Sequence, residues 1–210
     1  MPRPLRHIVP EVAVHVTQRG NNRADCFRRE SDYLLYLLHL RELCARLRCT
    51  VHAYCLMTNH VHLLVTPPSA DACKTLMKQL AQRHAQHFNR TYGRTGPLWD
   101  GRYHSSVAPT ARYVIGCYRY IELNPVAAKM VNHPAQYTWS SYRANALGKD
   151  DRLVVPHDAF LALGLDAIAQ RNAYMELVDQ ALDPTLLDEI RAATRGGYPM
   201  GSDPKTKTGV

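Results

Sequence analysis

No stretch of the 210 residues approaches the ~20 consecutive apolar side chains that a membrane span needs. The leucine-rich run Tyr33-Leu-Leu-Tyr-Leu-Leu-His-Leu40 is too short, and Met1-Pro-Arg-Pro-Leu-Arg-His7 lacks the apolar centre of a signal peptide. A cytoplasmic protein with no membrane partner is expected. The six cysteines, at 26, 44, 49, 55, 73 and 117, include no Cys-x-x-Cys pair and suggest no disulfide framework. Reduced, buried thiols follow, and a structural zinc at Cys55 or His52 would lack the paired spacing such sites show. Internal repeats are absent. Acidic residues are scarce in the first half. Residues 1–110 carry 15 Lys+Arg against 7 Asp+Glu, whereas residues 111–210 carry 11 of each. The whole formal charge of +8 therefore lies in one half-chain. Such a half-chain suits a polyanion, and nucleic acid is the commonest one. A solvated basic surface is the plainer alternative.

What is present alternates. Val12-Ala-Val-His-Val-Thr17 reads as a first strand, followed by the basic turn Gln18-Arg-Gly-Asn-Asn-Arg23. Ser31 as N-cap and Asp32 in the first turn open a helix, with an apolar stripe through Leu34, Leu37, Leu38, Leu40, Leu43, Ala45 and Leu47. Residues 50–57 form a second strand. Thr58-Asn59 turns the chain into a third, over residues 60–66. A helix follows from Asp71 to Tyr92. The segment Tyr92-Gly-Arg-Thr-Gly-Pro-Leu-Trp99-Asp-Gly-Arg102-Tyr103-His104 mixes arginine with aromatics that can stack on unpaired bases. It reads equally as a structured loop in which Trp99 caps the core. Residues 105–108 supply a short fourth strand. The order strand, helix, strand, strand, helix, strand predicts an α+β fold of the ferredoxin-like, split βαβ type: an antiparallel sheet with helices on it. Next comes a helix capped by Thr110 and stopped near Pro125, then a connector around Trp139, and a C-terminal helical extension. In that extension Asp166 and Asp183-Pro184 each start a helix and Gly196-Gly197 stops the last. Residues 1–135 are expected to form the main domain, 136–195 the connector and extension, and 196–210 a disordered tail.

His60 and His62 organise the chemistry. Side chains at i and i+2 of a strand share a face roughly 6.5–7 Å apart, so the two imidazoles can converge on one cation. Alone, His-x-His more often marks satisfied or surface histidines. In the helix after Thr110, however, Tyr113, Gly116, Tyr120 and Asn124 return to one face. Gly116 there leaves room for a scissile phosphate or lets a strand approach. Two imidazoles and an amide oxygen leave open coordination positions on a divalent ion, beside which a phenol can attack phosphorus.

Three motifs together resemble the single-tyrosine HUH transposases, in particular the REP-associated tyrosine transposases. They are Tyr54-Cys-Leu-Met-Thr-Asn-His60-Val-His62-Leu-Leu, Gly96-Pro-Leu-Trp-Asp-Gly-Arg102-Tyr103, and Arg119-Tyr120-Ile-Glu-Leu-Asn124-Pro125-Val126. The resemblance covers about residues 5–145. It implies that Tyr120 is the nucleophile and that His60 and His62 are metal ligands, with Asn124 at the third ligand position, where related insertion-sequence enzymes carry glutamine. It implies Mg²⁺ or Mn²⁺ as cofactor and single-stranded or hairpin DNA as partner. The reaction would be cleavage through a 5′-phosphotyrosine and rejoining at repeat hairpins, in a bacterial, nucleoid-associated protein that acts alone or as a homodimer. Arg19, Arg23, Arg94 and Arg102 are candidate DNA contacts, and His104 a candidate proton shuttle. Two rivals remain. One is a nucleic-acid-binding module without catalysis, although the strands lack an aromatic stacking motif. The other is a metal hydrolase using water, which would not need Tyr120.

Overall fold

The alternating stretches become one sheet. The computed structural model describes residues 7–202. Its strands are β1 (Val14–Arg19), β2 (Thr50–Met57), β3 (His60–Thr66) and β4 (His104–Val107), ordered β2-β3-β1-β4. Every neighbouring pair is antiparallel, which is the expected split βαβ arrangement. Helices α1 (Glu30–Leu47) and α2 (Ala70–Tyr92) join the strands and pack on one another. Beyond the sheet come α3 (Ala111–Glu122), α4 (Asn124–Ala127), α5 (Tyr142–Asn145), α6 (Asp158–Leu161), α7 (Ala167–Asp179) and α8 (Pro184–Gly196). No helix among the described residues is long and apolar enough to cross a membrane.

Strand parity sorts the two cores. Val14 and Val16 of β1, with Val61, Leu63 and Val65 of β3, bury against Tyr36, Leu40 and Leu43 of α1 and Leu76, Leu80 and Phe88 of α2. The opposite face, with Ala53, Cys55 and Met57 of β2 and Leu64 of β3, packs against Val114, Cys117, Tyr118 and Ile121 of α3. None of the six cysteines is in a disulfide, and all are buried among these groups.

Several expectations are corrected. The inward stripe of α1 runs through Tyr33, Tyr36, Leu40 and Leu43, while Leu34 and Leu38 are 55% and 41% exposed. Steps of three and four from a buried tyrosine, rather than from the leucines, fix that face. The N-cap position is Arg29, not Ser31; buried Asp32 reaches back to accept the Arg28 and Arg29 N–H groups at 2.9 and 3.1 Å. The first turn starts later than expected, because β1 continues through Arg19. Gly20 then has the oxygen of Ala24 2.2 Å from where a Cβ would sit, so no side chain fits. Trp99 is a core residue whose indole N–H donates to Ala81 O at 3.0 Å, so it is not a base-stacking platform. Gly116 neither leaves a phosphate gap nor admits a strand: a Cβ there would meet Leu186 at 3.0 Å and Ile190 at 3.3 Å, so it seats α8 against α3. The tail is not disordered from residue 196. Buried Met200 donates its N–H to Val107 O at 3.0 Å, and Ser106 donates to Tyr198 O at 2.7 Å. Residues 203–210 of that expected tail lie outside the described residues.

The connector is fastened to α3 by Glu122. Its buried carboxyl accepts from Ser141 at 2.5 Å, Asn145 at 2.8 Å and, on its other oxygen, Tyr174 at 2.6 Å. Burial outweighs these donors and pushes the carboxyl up from 4.5 to about 7. Between those two values the folded state holds a proton that the unfolded chain has released. Stability is therefore full below 4.5 and is lost as pH rises through about 7. Glu122→Gln removes this dependence. Between acid conditions and about pH 8, its stability relative to the parent is expected to shift by about 3 kcal/mol in the variant's favour. Urea unfolding at both ends of that range measures it, and a pH-independent difference would refute the assignment.

Candidate active site

Antiparallel register puts directly opposed side chains on the same face. His60 of β3 pairs with Arg19 of β1 and Met57 of β2, and His62 pairs with Thr17 and Cys55. Arg19, Thr17 and His15 therefore share the face of the two histidines. The α3 helix crosses this face and brings Tyr120 to it. The Tyr120 ring stands edge-on to His62 at 5.5 Å and to His15 at 5.6 Å between centroids, and is half-buried. The His60 and His62 rings meet edge to face at 4.9 Å. One open cavity of about 620 Å³ collects His15, Thr17, Arg19, His60, His62, Tyr120 and Asn124, with Asp188, Arg191, Thr194 and Arg195 of α8 on its wall.

Each histidine of the pair is held by one ring nitrogen. The Asn59 amide donates to Arg23 O at 3.1 Å, so its oxygen accepts from His60 Nδ1 at 2.6 Å. His62 Nδ1 lies 2.9 Å from His15 Nε2. Burial lowers His60 to about 4, helped by the Arg19 charge, and lowers His15 to about 3. His62 is driven well below the usual histidine value, again chiefly by burial. The rings are thus neutral at ordinary pH, the form in which imidazole binds a metal. With Nδ1 engaged on both, Nε2 is the ring nitrogen of His60 and of His62 left to face a cation. The Asn124 amide donates to Tyr120 O at 2.7 Å, leaving its oxygen as a third donor on the same cavity. No group of three or more His, Cys, Asp or Glu residues among the described residues is placed to hold a metal. A cation held by these two imidazoles would therefore take the uncharged amide or solvent as its further donors.

Of the arginines picked from the sequence, Arg19 alone lines the cavity. Arg94 lies over the Phe88 ring at 5.5 Å, on the far side of the sheet. Arg23 and Arg102 are exposed on turns flanking the end of β1, outside the cavity wall. His104 is exposed at the start of β4 and does not line the cavity either. The unforeseen members include His15, Thr17, Asp188, Arg191, Thr194 and Arg195. Strand parity with Arg19 could have found the first two; nothing local marks the others.

The family profile "Transposase IS200 like" matches residues 8–124. Among solved structures, the chain is similar to a REP-associated tyrosine transposase bound to a REP hairpin. That match has a TM-score of 0.59 and 15% identity, covering 76% of this chain and 93% of that one. It is also similar to a candidate transposase from Deinococcus radiodurans R1, with a TM-score of 0.39 and 23% identity over 50% of this chain and 84% of that one. No curated protein matches the chain.

Proposed function

The chain belongs to the IS200-like transposase family, a family of DNA-processing enzymes, and we propose that it cuts and rejoins single-stranded DNA beside repeat hairpins with Tyr120 as its nucleophile. The observation that carries this reading is the meeting of Tyr120 with His62 at 5.5 Å in one chain, on a cavity rimmed by arginines. The phenol gives up its proton and its oxygen bonds to phosphorus. The bond from phosphorus to the 3′ oxygen breaks, and that oxygen takes a proton. The products are a 5′-phosphotyrosine and a free 3′-OH. Attack by a second 3′-OH reverses the step, so rejoining needs no outside energy. His60, His62 and Asn124 would hold a divalent cation, Mg²⁺ or Mn²⁺, which when bound polarises the phosphate. Arg19 beside His60 and Arg195 opposite supply positive charge for the phosphates, together with Arg191, whose guanidinium also lies 3.9 Å from Asp188. All the groups come from one chain, so this reading needs no second copy, and the rate per protein should not depend on protein concentration.

The hairpin partner is supported by the basic first half of the chain and by the similar fold that is bound to a REP hairpin. A purely binding module is disfavoured because helices pack on both faces of the sheet and, among the described residues, the strand side chains that line the open cavity include no Phe, Tyr or Trp on which bases could stack. The test uses single-stranded hairpin DNA labelled at its 3′ end, with Mn²⁺. A protein band of increased mass carrying the label is expected, since the downstream fragment keeps the 5′ phosphate. Binding without any adduct would leave the module reading, and multiple turnover without adduct would leave a water-using hydrolase.

A further inference from the structure

We propose that Thr194 and His15 form a positioning relay that fixes the tautomer and ring orientation of His62, making the C-terminal helix part of the cation site. This rests on the reading of His62 as a ligand given above. The Thr194 hydroxyl donates its one proton to Ile190 O, a turn earlier on α8, at 2.7 Å. Its oxygen can then only accept from His15 Nδ1, 2.9 Å away. A neutral imidazole carries one N–H, so His15 Nε2 is a bare lone pair. The hydrogen between His15 Nε2 and His62 Nδ1 must therefore sit on His62. With its proton at Nδ1, His62 presents Nε2 as a lone pair.

His60 reaches the same tautomer by a different device, the local Asn59 amide. The two ligands are thus set independently, one by its sequence neighbour and one by a residue 179 positions from His15. His15, His62 and Thr194 are all buried, so water does not compete for these bonds. Thr194 reaches His15 because α8 sits close on α3, where Gly116 presents no side chain. Outer partners of this kind raise ligand basicity and hold ring direction, and losing one typically weakens metal binding about 10–100-fold.

The experiment uses the full chain, labelled with ¹⁵N-histidine and free of metal. Long-range ¹H–¹⁵N spectra report which ring nitrogen carries the proton, and calorimetry reports Mn²⁺ affinity. The parent should show Nδ1–H at His15, His60 and His62. In Thr194→Val, His15 and His62 should leave that state while His60 keeps it, and Mn²⁺ should bind about 10–100-fold more weakly. Thr194→Ser should restore both readouts. Should the valine variant not fold, Thr194→Ala makes the same test with a smaller side chain. A hydroxyl-free variant that keeps the His62 Nδ1–H signal and parental Mn²⁺ affinity overturns the relay but leaves the ligand reading intact. A parent protein that binds Mn²⁺ no better than a His60→Ala/His62→Ala double variant overturns the ligand reading, and the relay's role with it.

Discussion

Tyr120→Phe is expected to abolish the covalent DNA adduct and to lower strand cleavage by at least ~10⁴-fold, with hairpin binding changed less than about threefold. The substitution keeps the ring and hence its edge contacts with His15 and His62, so only the phenol oxygen is lost. The neighbouring tyrosines are the controls. The Tyr118 hydroxyl is buried and accepts the His157 N–H at 3.0 Å. Tyr113 donates to Glu189 at 2.9 Å. Both are fastened away from the histidines. Tyr118→Phe should cost roughly 1 kcal/mol of stability and leave adduct formation intact. Gel analysis of the labelled adduct for the two variants decides the matter. An adduct that survives Tyr120→Phe but not Tyr118→Phe would move the chemistry to a different face of α3.

The parts of the site that could be read from the sequence were those fixed by short-range periodicity. A strand repeats every two residues, so His60 and His62 had to share a face. A helix returns near its starting angle after four, so Tyr120 and Asn124 had to share another. Both follow from backbone geometry, and the structure places both pairs on one cavity. The order of elements likewise implied the sheet, because a split βαβ chain has few antiparallel ways to close. What stayed hidden depends on docking. Thr194, Arg191 and Arg195 reach the cavity only because α8 folds back beside α3 and β4, and α8 sits there because Gly116 is bare. Nothing near residue 194 announces that contact. Arg94 lies away from this cavity for the mirror reason: a basic residue in a glycine-rich loop looks available, yet its guanidinium lies over Phe88 on the other face. The inward face of α1 is hidden for a different reason: its leucines outnumber the buried tyrosines that set that face, and Tyr33 makes the ring contacts with Trp139 and Phe27.

His60→Ala and His62→Ala should look alike in catalysis and different in folding. Each removes one imidazole donor. A bound cation is worth several kcal/mol of charge stabilisation in phosphoryl chemistry, so either variant should lose on the order of 10³-fold in Mn²⁺-dependent adduct formation. Their surroundings differ. His60 is half-buried and its partner Asn59 is also partly exposed, so water can replace the lost bond. The metal-free stability of His60→Ala should fall by less than ~1 kcal/mol. His62 is buried, and its Nδ1–H is the donor to His15 Nε2. Deleting it strands a buried acceptor, which costs about 1–3 kcal/mol, before any cost of the cavity left behind. Urea unfolding of the metal-free variants measures the gap. If both variants unfold alike, the His15–His62 bond does not hold the ring in place. If either keeps parental adduct formation in Mn²⁺, the face shared by these two imidazoles is not where the phosphate is activated.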